Sequence, residues 1–356
     1  MNQVATPFVY MSAPSRVIFG AGSTNDLCRE IGQLSIQRVL FVGTSSQRDR
    51  NLSIARSLED QYSICFNEAE MHTPVHITEK AMAIVESQKI DGIIAVGGGS
   101  SVGLSKAIAY RTGLPQIIIP TTYSGSEVTA ILTETEGGHK LTRTDPYIRP
   151  NVVIYDVNQT LSLPAHISVT SGMNAIAHAV EALYAHDTNP VIASLAEQGI
   201  QSLIHALPMI VESPYDVEAR EKALYGAWLC GICLGSTSMA IHHKLCHTLG
   251  GTFELPHAET HTALLPHAVS FNLASAPNAA QILSRVFDNN NPARALFDLA
   301  KHLGAQMSLK GLGMPEDGID RATELSFKKV YPNPRPLDHA GVRELIRNAW
   351  EGKPPA

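Results

Sequence analysis

The sequence predicts an α/β, doubly wound domain over residues 1–158 and an all-α domain over residues 159–356. Three observations carry this. Short, continuous runs of β-branched and apolar residues alternate with helix-compatible stretches as far as Asp156, the pattern of strands buried on both faces. After the segment TLSLPA at 160–165 the strand signal disappears and nearly every stretch is helix-compatible. A chain of 356 residues also exceeds what one hydrophobic core usually organises.

Residues 38–43 (RVLFVG) form the first clear strand, followed by a polar turn and a helix to about Leu58. Residues 92–97 (GIIAVG) and 116–120 (QIIIP) are two more strands, with a helix over 101–111 between them, and 150–156 (PNVVIYD) is the last. Strands separated by helices run parallel, with helices covering both faces of the sheet. The second half reads as helices over 169–185, 191–210, 217–234, 292–303, 316–328 and 340–349, with breaks at proline and glycine.

Apolar content of 44% and charged content of 17% are those of a compact protein with material for two cores. A formal net charge of −6 without a basic cluster argues against a nucleic-acid partner. No run reaches the ~18 uninterrupted apolar residues of a membrane span, and the opening MNQVATP lacks the layout of a signal peptide. A cytoplasmic protein with no membrane partner is expected. Cysteines at 28, 65, 230, 233 and 246 make an odd number without the spacing of a disulfide framework, which fits a reducing compartment. Cys230 and Cys233 lie in an apolar, helix-like run and read as core.

Six of the fifteen histidines fall between positions 242 and 267. His243 and His247 are four residues apart, so a helix there puts them on one face. The pair Gly250-Gly251 is expected to break that helix and let His257 fold back toward them. Asn174 and His178 make a second pair of the same spacing, completing a pattern seen where two helices face each other across a divalent metal. Asn174 stands where such a site wants a carboxylate. His242, His261 and His267 read as ordinary structural histidines.

The turn VGGGSS at 96–101 follows a strand and opens a helix. Glycines there let the backbone approach an anion closely, and the free N–H groups at the helix start bind phosphate. A second loop, PTTYSGSE at 120–127, ends the next strand, where open α/β sheets bind ligands. Two such loops favour a dinucleotide on a Rossmann-like domain. The expected cofactor-binding set is Thr44, Gly97, Gly98, Gly99, Ser100, Ser101, Thr121, Thr122, Ser124, Ser126 and Lys140. After the strand at 38–43 come Thr44, Ser45 and Ser46, with no Asp or Glu to grip a ribose 2′-hydroxyl and with Arg48 and Arg50 close by, so NADH or NADPH is expected to serve. A cleft between the halves would put these loops on one wall and the histidines on the other.

Taken together, GGGS at 97–100 with Lys106, PTT at 120–122 with GSE at 125–127, GMNAIAH at 172–178, HKLCH at 243–247, Pro256-His257 and NPR at 333–335 resemble the iron-containing (group III) alcohol dehydrogenase family, in family order over essentially the whole chain. The resemblance implies the dehydroquinate synthase-like fold of that family. Gly103 in place of the usual acidic residue, Tyr123, the segment EGGHK at 136–140 and YPNPRP at 331–336 resemble the branch that reduces the carbon–carbon double bond of maleylacetate, a dicarboxylate, to 3-oxoadipate in aromatic-ring degradation. His178, His243 and His257 would then line the substrate side, and His243 or His247 would relay a proton. Arg335, Lys244, Lys140 and Arg143 are the candidate partners for the substrate carboxylates. Asn174 replaces the family's ligand Asp, and conjugate reduction places charge on a delocalised enolate that hydrogen-bond donors can carry, so no required metal is expected. The resemblance also implies a homodimer paired through strands around residues 16–19.

One prediction follows from the residues at 44–46. With no carboxylate to repel a 2′-phosphate, kcat/KM for NADPH is expected within about tenfold to a hundredfold of that for NADH, at most ~3 kcal/mol. Thr44→Asp shifts the preference toward NADH. Undetectable turnover with NADPH in the unmodified enzyme would mean that another group excludes the phosphate.

Overall fold

Residues 8, 10, 15–58, 61–137 and 139–356 are described in a computed structural model of the chain. The opening MNQVATP segment and Gly138 of the EGGHK segment lie outside them. The apolar runs of the first half become β1 (Arg16–Phe19), β2 (Arg38–Val42), β3 (Tyr62–Phe66), β4 (Gly92–Gly97) and β5 (Gln116–Pro120), then an antiparallel ribbon, β6 (Ile131–Glu136) and β7 (His139–Thr144), and finally β8 (Val152–Tyr155). Helices α1 (Leu27–Gln33), α2 (Arg48–Arg56), α3 (Val75–Ser87) and α4 (Gly99–Thr112) connect the earlier strands. Six strands form one all-parallel sheet in the order β1-β8-β5-β4-β2-β3. All residues of β4 and β5 are buried, the reason these runs are apolar without alternation.

The strand order reverses beside β2: β3 lies on one side and β4 on the other. The carboxyl ends of strands at such a switch point diverge and leave room for a ligand. Thr44 follows β2 and the glycine triplet follows β4, so the topology brings two sequence-distant loops to one place.

The second half contains only helices: α5 (Ala165–Tyr184), α6 (Pro190–Glu212), α7 (Val217–Ser236), α8 (Ile241–Phe253), α9 (His257–Asn272), α10 (Pro277–Phe287), α11 (Pro292–His302), α12 (Gly318–Ser326) and α13 (His339–Glu351). The chain divides into compact units Ala13–Leu163 and Pro164–Ala356. The predicted fold class, a doubly wound α/β domain followed by an all-α one, is the observed one. In the helical unit α5, α6 and α7 pack on one another. Gly199 and Gly226 let α6 and α7 approach backbone to backbone: a Cβ on Gly226 would stand 2.9 Å from the Gly199 carbonyl oxygen. A second core joins α8, α9, α12 and α13 through Leu245, Leu249, Leu264, Ile319 and Ile346. No single helix among the described residues is long and apolar enough to cross a membrane.

Elements outside the expected set are α1, β3, α3, α9, α10 and the β6–β7 ribbon. The ribbon has a sequence signal that the reading passes over: Gly137-Gly138 between two runs rich in threonine is a two-residue hairpin connection.

His267 on α9 is 4% exposed, its Nε2 has no partner, and burial pushes its pKa from 6.5 to about 4. The unfolded chain therefore binds a proton that the folded chain refuses. This contribution to stability is present above pH 6.5 and is lost as pH falls to 4, at most about 3 kcal/mol. His267→Leu is expected to flatten the loss of stability between these pH values, measured by urea unfolding. An unchanged slope would show that other groups dominate acid unfolding.

Candidate active site

The i,i+4 and i,i+3 spacings of Asn174, His178 and Glu181 put them on one face of α5, and all three are buried. On α8, His243 is buried and His247 half-buried. Glu181, which the sequence reading omits, orders this group. Its carboxylate accepts from the backbone N–H groups of Ala240 (2.8 Å) and His242 (2.8 Å) and from His243 Nδ1 (2.7 Å). Nothing on α8 itself caps its N-terminus, so a side chain from α5 satisfies the orphan donors and sits at the positive end of the helix dipole.

The tautomers follow. His243 Nδ1 carries the proton given to Glu181, so His243 Nε2 is an acceptor, and His178 Nδ1 at 2.8 Å donates to it. His178 Nε2 is then also an acceptor and faces Asn174 Nδ2 at 3.3 Å. The chain of donors thus runs Asn174 to His178 to His243 to Glu181. At its start Asn174 Oδ1 is a buried acceptor that has no partner, and such an atom costs ~1–3 kcal/mol.

The turn toward His257 is not made by the glycines. Helix α8 runs through Gly250-Gly251 to Phe253, and the chain reverses at Glu254, held in the left-handed conformation at φ 54°, before Pro256 opens α9. Glycine is tolerated in a packed helix, and the reversal is made by a left-handed C-cap residue two positions before proline. The His257 ring lies 4.4 Å from that of His261, and the His247 ring 6.3 Å from that of His243. His247 Nδ1 stands 3.4 Å from the Tyr331 hydroxyl.

Two histidines read as structural, His242 and His261, prove to form a cluster with Cys246. His242, Cys246 and His261 are buried together with their donor atoms within 4.8 Å of one another. Asn333 was also missed: its side chain accepts from Ile241 N–H and exchanges hydrogen bonds with Asn272, tying the NPR segment to α8 and α9.

The candidate cations are dispersed. The Arg335 guanidinium lies over the Phe271 ring at 4.0 Å and 3.5 Å from Asp338. Lys244 donates to the Lys328 carbonyl at 2.7 Å. In the sheet unit, Arg143 stands 3.9 Å from Glu134 and half-buried Lys140 pairs with Thr135 in the ribbon.

In that unit Gly97 has φ +146° and a Cβ there would lie 2.3 Å from Ser101 Oγ, while a Cβ on Gly98 would meet Thr122 at 2.8 Å. The triplet therefore keeps the two loops in contact; Gly99 and Ser100 lead the turn, and the Gly99 Cβ position is open. No side chain caps α4. Thr121 N–H donates to the Gly97 carbonyl at 3.1 Å. Ser124 and Tyr155 hydroxyls both donate to buried Glu127. Lys106 donates to the Ser126 and Ile131 carbonyls and to the Thr129 hydroxyl, and its Nζ is 3.3 Å from Ser126 Oγ. Thr44 Oγ1 and Ser46 Oγ lie 2.8 Å apart. Arg50, expected beside a 2′-phosphate, is engaged with the Gln159 carbonyl and Ser162.

The comparisons agree with this architecture. Residues 14–157 match the model for "Iron-containing alcohol dehydrogenase" and residues 168–350 that for "Fe-containing alcohol dehydrogenase family, C-terminal". The chain is 49% identical to the maleylacetate reductase of Sphingobium indicum over 348 residues, 98% of this chain and 99% of that one. The crystal structure of maleylacetate reductase from Agrobacterium tumefaciens matches with a TM-score of 0.95 at 48% identity, covering 98% of this chain and all of the other. That of an iron-containing alcohol dehydrogenase from Corynebacterium glutamicum matches at 0.94 and 37% identity, covering 99% of each chain.

These matches overturn the expectation of no required metal, which rested on Asn174. The family is an iron-containing one, and the helical unit carries a convergent His, Cys, His group. The charge lost at Asn174 leaves its amide oxygen as a ligand atom. Asn174 Oδ1 and the imidazoles of His178 and His243 bring together O and N donors of the kind a divalent transition metal takes. The chain belongs to the iron-containing alcohol dehydrogenase family, on its maleylacetate reductase branch.

Proposed function

We propose that this chain uses NADH or NADPH to reduce the carbon–carbon double bond of maleylacetate to 3-oxoadipate in the degradation of aromatic compounds. The observation that carries this reading is the donor chain ending on Glu181, in a protein 44–49% identical to proteins named maleylacetate reductase. In this reading residues 1–158 hold the cofactor, with Thr44, Gly97 to Ser101, Thr121, Thr122, Ser124, Ser126 and Lys140 around it. Residues 159–356 hold the substrate.

Hydride leaves the nicotinamide for the alkene carbon β to the ketone, NAD(P)⁺ remains, and an enolate develops. A proton added to the α carbon completes the reduction. His178, His243 and His257 line the ketone side, and His243 or His247 passes the proton. Asn174, His178, His243 and His257 would hold the family's cation, which would supply Lewis-acid polarisation of the carbonyl. Glu181 keeps His243 in the tautomer that presents Nε2. Arg335 or Lys244 neutralises a carboxylate, because a dianion in a desolvated site needs fixed cationic donors.

A homodimer paired through β1 belongs to the same reading: β1 ends the sheet order, with β8 on one side. A cytoplasmic location fits five cysteines that are all free thiols.

Oxidation of NADH on adding maleylacetate, followed by absorbance, tests the activity. Turnover of a simple aldehyde but not of maleylacetate would replace it with an alcohol dehydrogenase. Glu181→Gln is expected to lower kcat by about tenfold to a hundredfold with KM for NADH nearly unchanged; an unchanged kcat would show that tautomer control does not limit the reaction. Arg335→Met is expected to raise KM for maleylacetate far more than KM for NADH. If only thermal stability falls, Arg335 serves the Phe271 and Asp338 contacts alone and Lys244 becomes the clamp.

A further inference from the structure

His242, Cys246 and His261 take no part in the donor chain that ends on Glu181. His242 and Cys246 are one turn apart on α8, and His261 meets them from α9. None is more than 2% exposed. His242 Nε2 stands 3.0 Å from His261 Nδ1 and 3.7 Å from Cys246 Sγ, and all three donor atoms lie within 4.8 Å. A tetrahedral cation with metal–nitrogen bonds of about 2.0–2.1 Å and a metal–sulfur bond of about 2.3 Å keeps its donors roughly 3.3–3.6 Å apart. The two contacts of His242 Nε2, at 3.0 and 3.7 Å, bracket that spacing already.

Protein partners do not account for the trio. Two neutral rings carry two N–H groups, and the contact between them uses one. The opposite ring nitrogens, His242 Nδ1 and His261 Nε2, are buried without partners, so no protein group fixes either tautomer and both inner nitrogens are able to turn a lone pair to a cation. A cation between Nε2, Nδ1 and Sγ would send the shared proton to the outer nitrogen of the ring that holds it, leave both rings neutral, and give a reason for three polar side chains where leucines would pack.

We propose that His242, Cys246 and His261 form a buried N₂S site for a thiophilic divalent cation of the zinc class, separate from the set Asn174, His178, His243 and His257. On binding, the Cys246 thiol gives its proton to solvent and coordinates as thiolate, and thiolate favours zinc over hard cations such as magnesium. Three protein donors leave one tetrahedral position for a water or an added ligand. The cation rivets α8 to α9, the helices that carry His243, His247 and His257. This inference stands whether or not the chain reduces maleylacetate.

The test is spectroscopic. Full-length protein stripped by chelator is titrated with Co²⁺. The site gives a thiolate-to-cobalt charge-transfer band in the near ultraviolet, which no all-O/N set produces. The band is expected in the unmodified protein and lost in Cys246→Ala and His261→Gln, each binding one equivalent less zinc by elemental analysis. Absence of the band, or its persistence in Cys246→Ala, overturns the site. Should both variants fail to fold, zinc-edge X-ray absorption of the unmodified protein decides: a sulfur neighbour supports the site, and a shell of nitrogen and oxygen alone overturns it.

Discussion

A carboxylate buried in a helical core must be neutralised or hydrogen-bonded, and Glu181 is surrounded by donors: two backbone N–H groups at the start of α8 at 2.8 Å and the His243 ring at 2.7 Å. The position of α8 along α5, the ring orientation of His243 and the protonation of His178 all descend from that group. Removing its charge leaves the helix start uncapped and frees the imidazole to turn. Such a group acts by positioning, since it contacts α8 rather than any reacting atom.

The substitution at 174 reads differently once this is seen. An aspartate there would place a second negative charge about two turns from Glu181 on the same face of α5. Asparagine can both give and take hydrogen bonds, so it extends the donor chain through Nδ2 and still leaves Oδ1 as a ligand atom. From the sequence alone the loss of the carboxylate looked like the loss of the metal. The flaw was to weigh the lost charge above the amide oxygen that remains, which is left without a partner beside imidazoles and is itself a donor.

Much of the fold was legible. Runs such as GIIAVG and QIIIP could only be buried parallel strands, and the glycine triplet marked the strand-to-helix turn. What escaped was set by tertiary packing. Strand β3 lies at the sheet edge with partly exposed residues, so its sequence YSICF lacks the strong apolar signature. The helix carried through Gly250-Gly251 because its buried face, Leu245, Cys246 and Leu249, outweighed the propensity of two glycines. The histidines of the donor chain were found by spacing. Glu181 was passed over because a lone acid in an apolar helix reads as a solvated residue, although its place three residues after His178 put it on the same face. His242 and His261 were assigned to packing because their partner is a cysteine on one helix and a histidine on the next, a juxtaposition no single stretch of sequence displays.

Lys106 bears on the evolution of the sheet unit. One ammonium, buried to 1% exposure and lowered by burial to a pKa of about 7, gathers oxygens from residues 126, 129 and 131. These residues lie where the chain leaves the loop after β5 and enters the ribbon. A surface connection usually tolerates changes in length. Here an added or deleted residue between 120 and 131 would shift every one of those oxygens out of reach together and strand a charge in the core. The length of this connection should therefore be as constrained as a strand of the sheet itself, and variation in chain length should be confined to places such as the far tip of the ribbon.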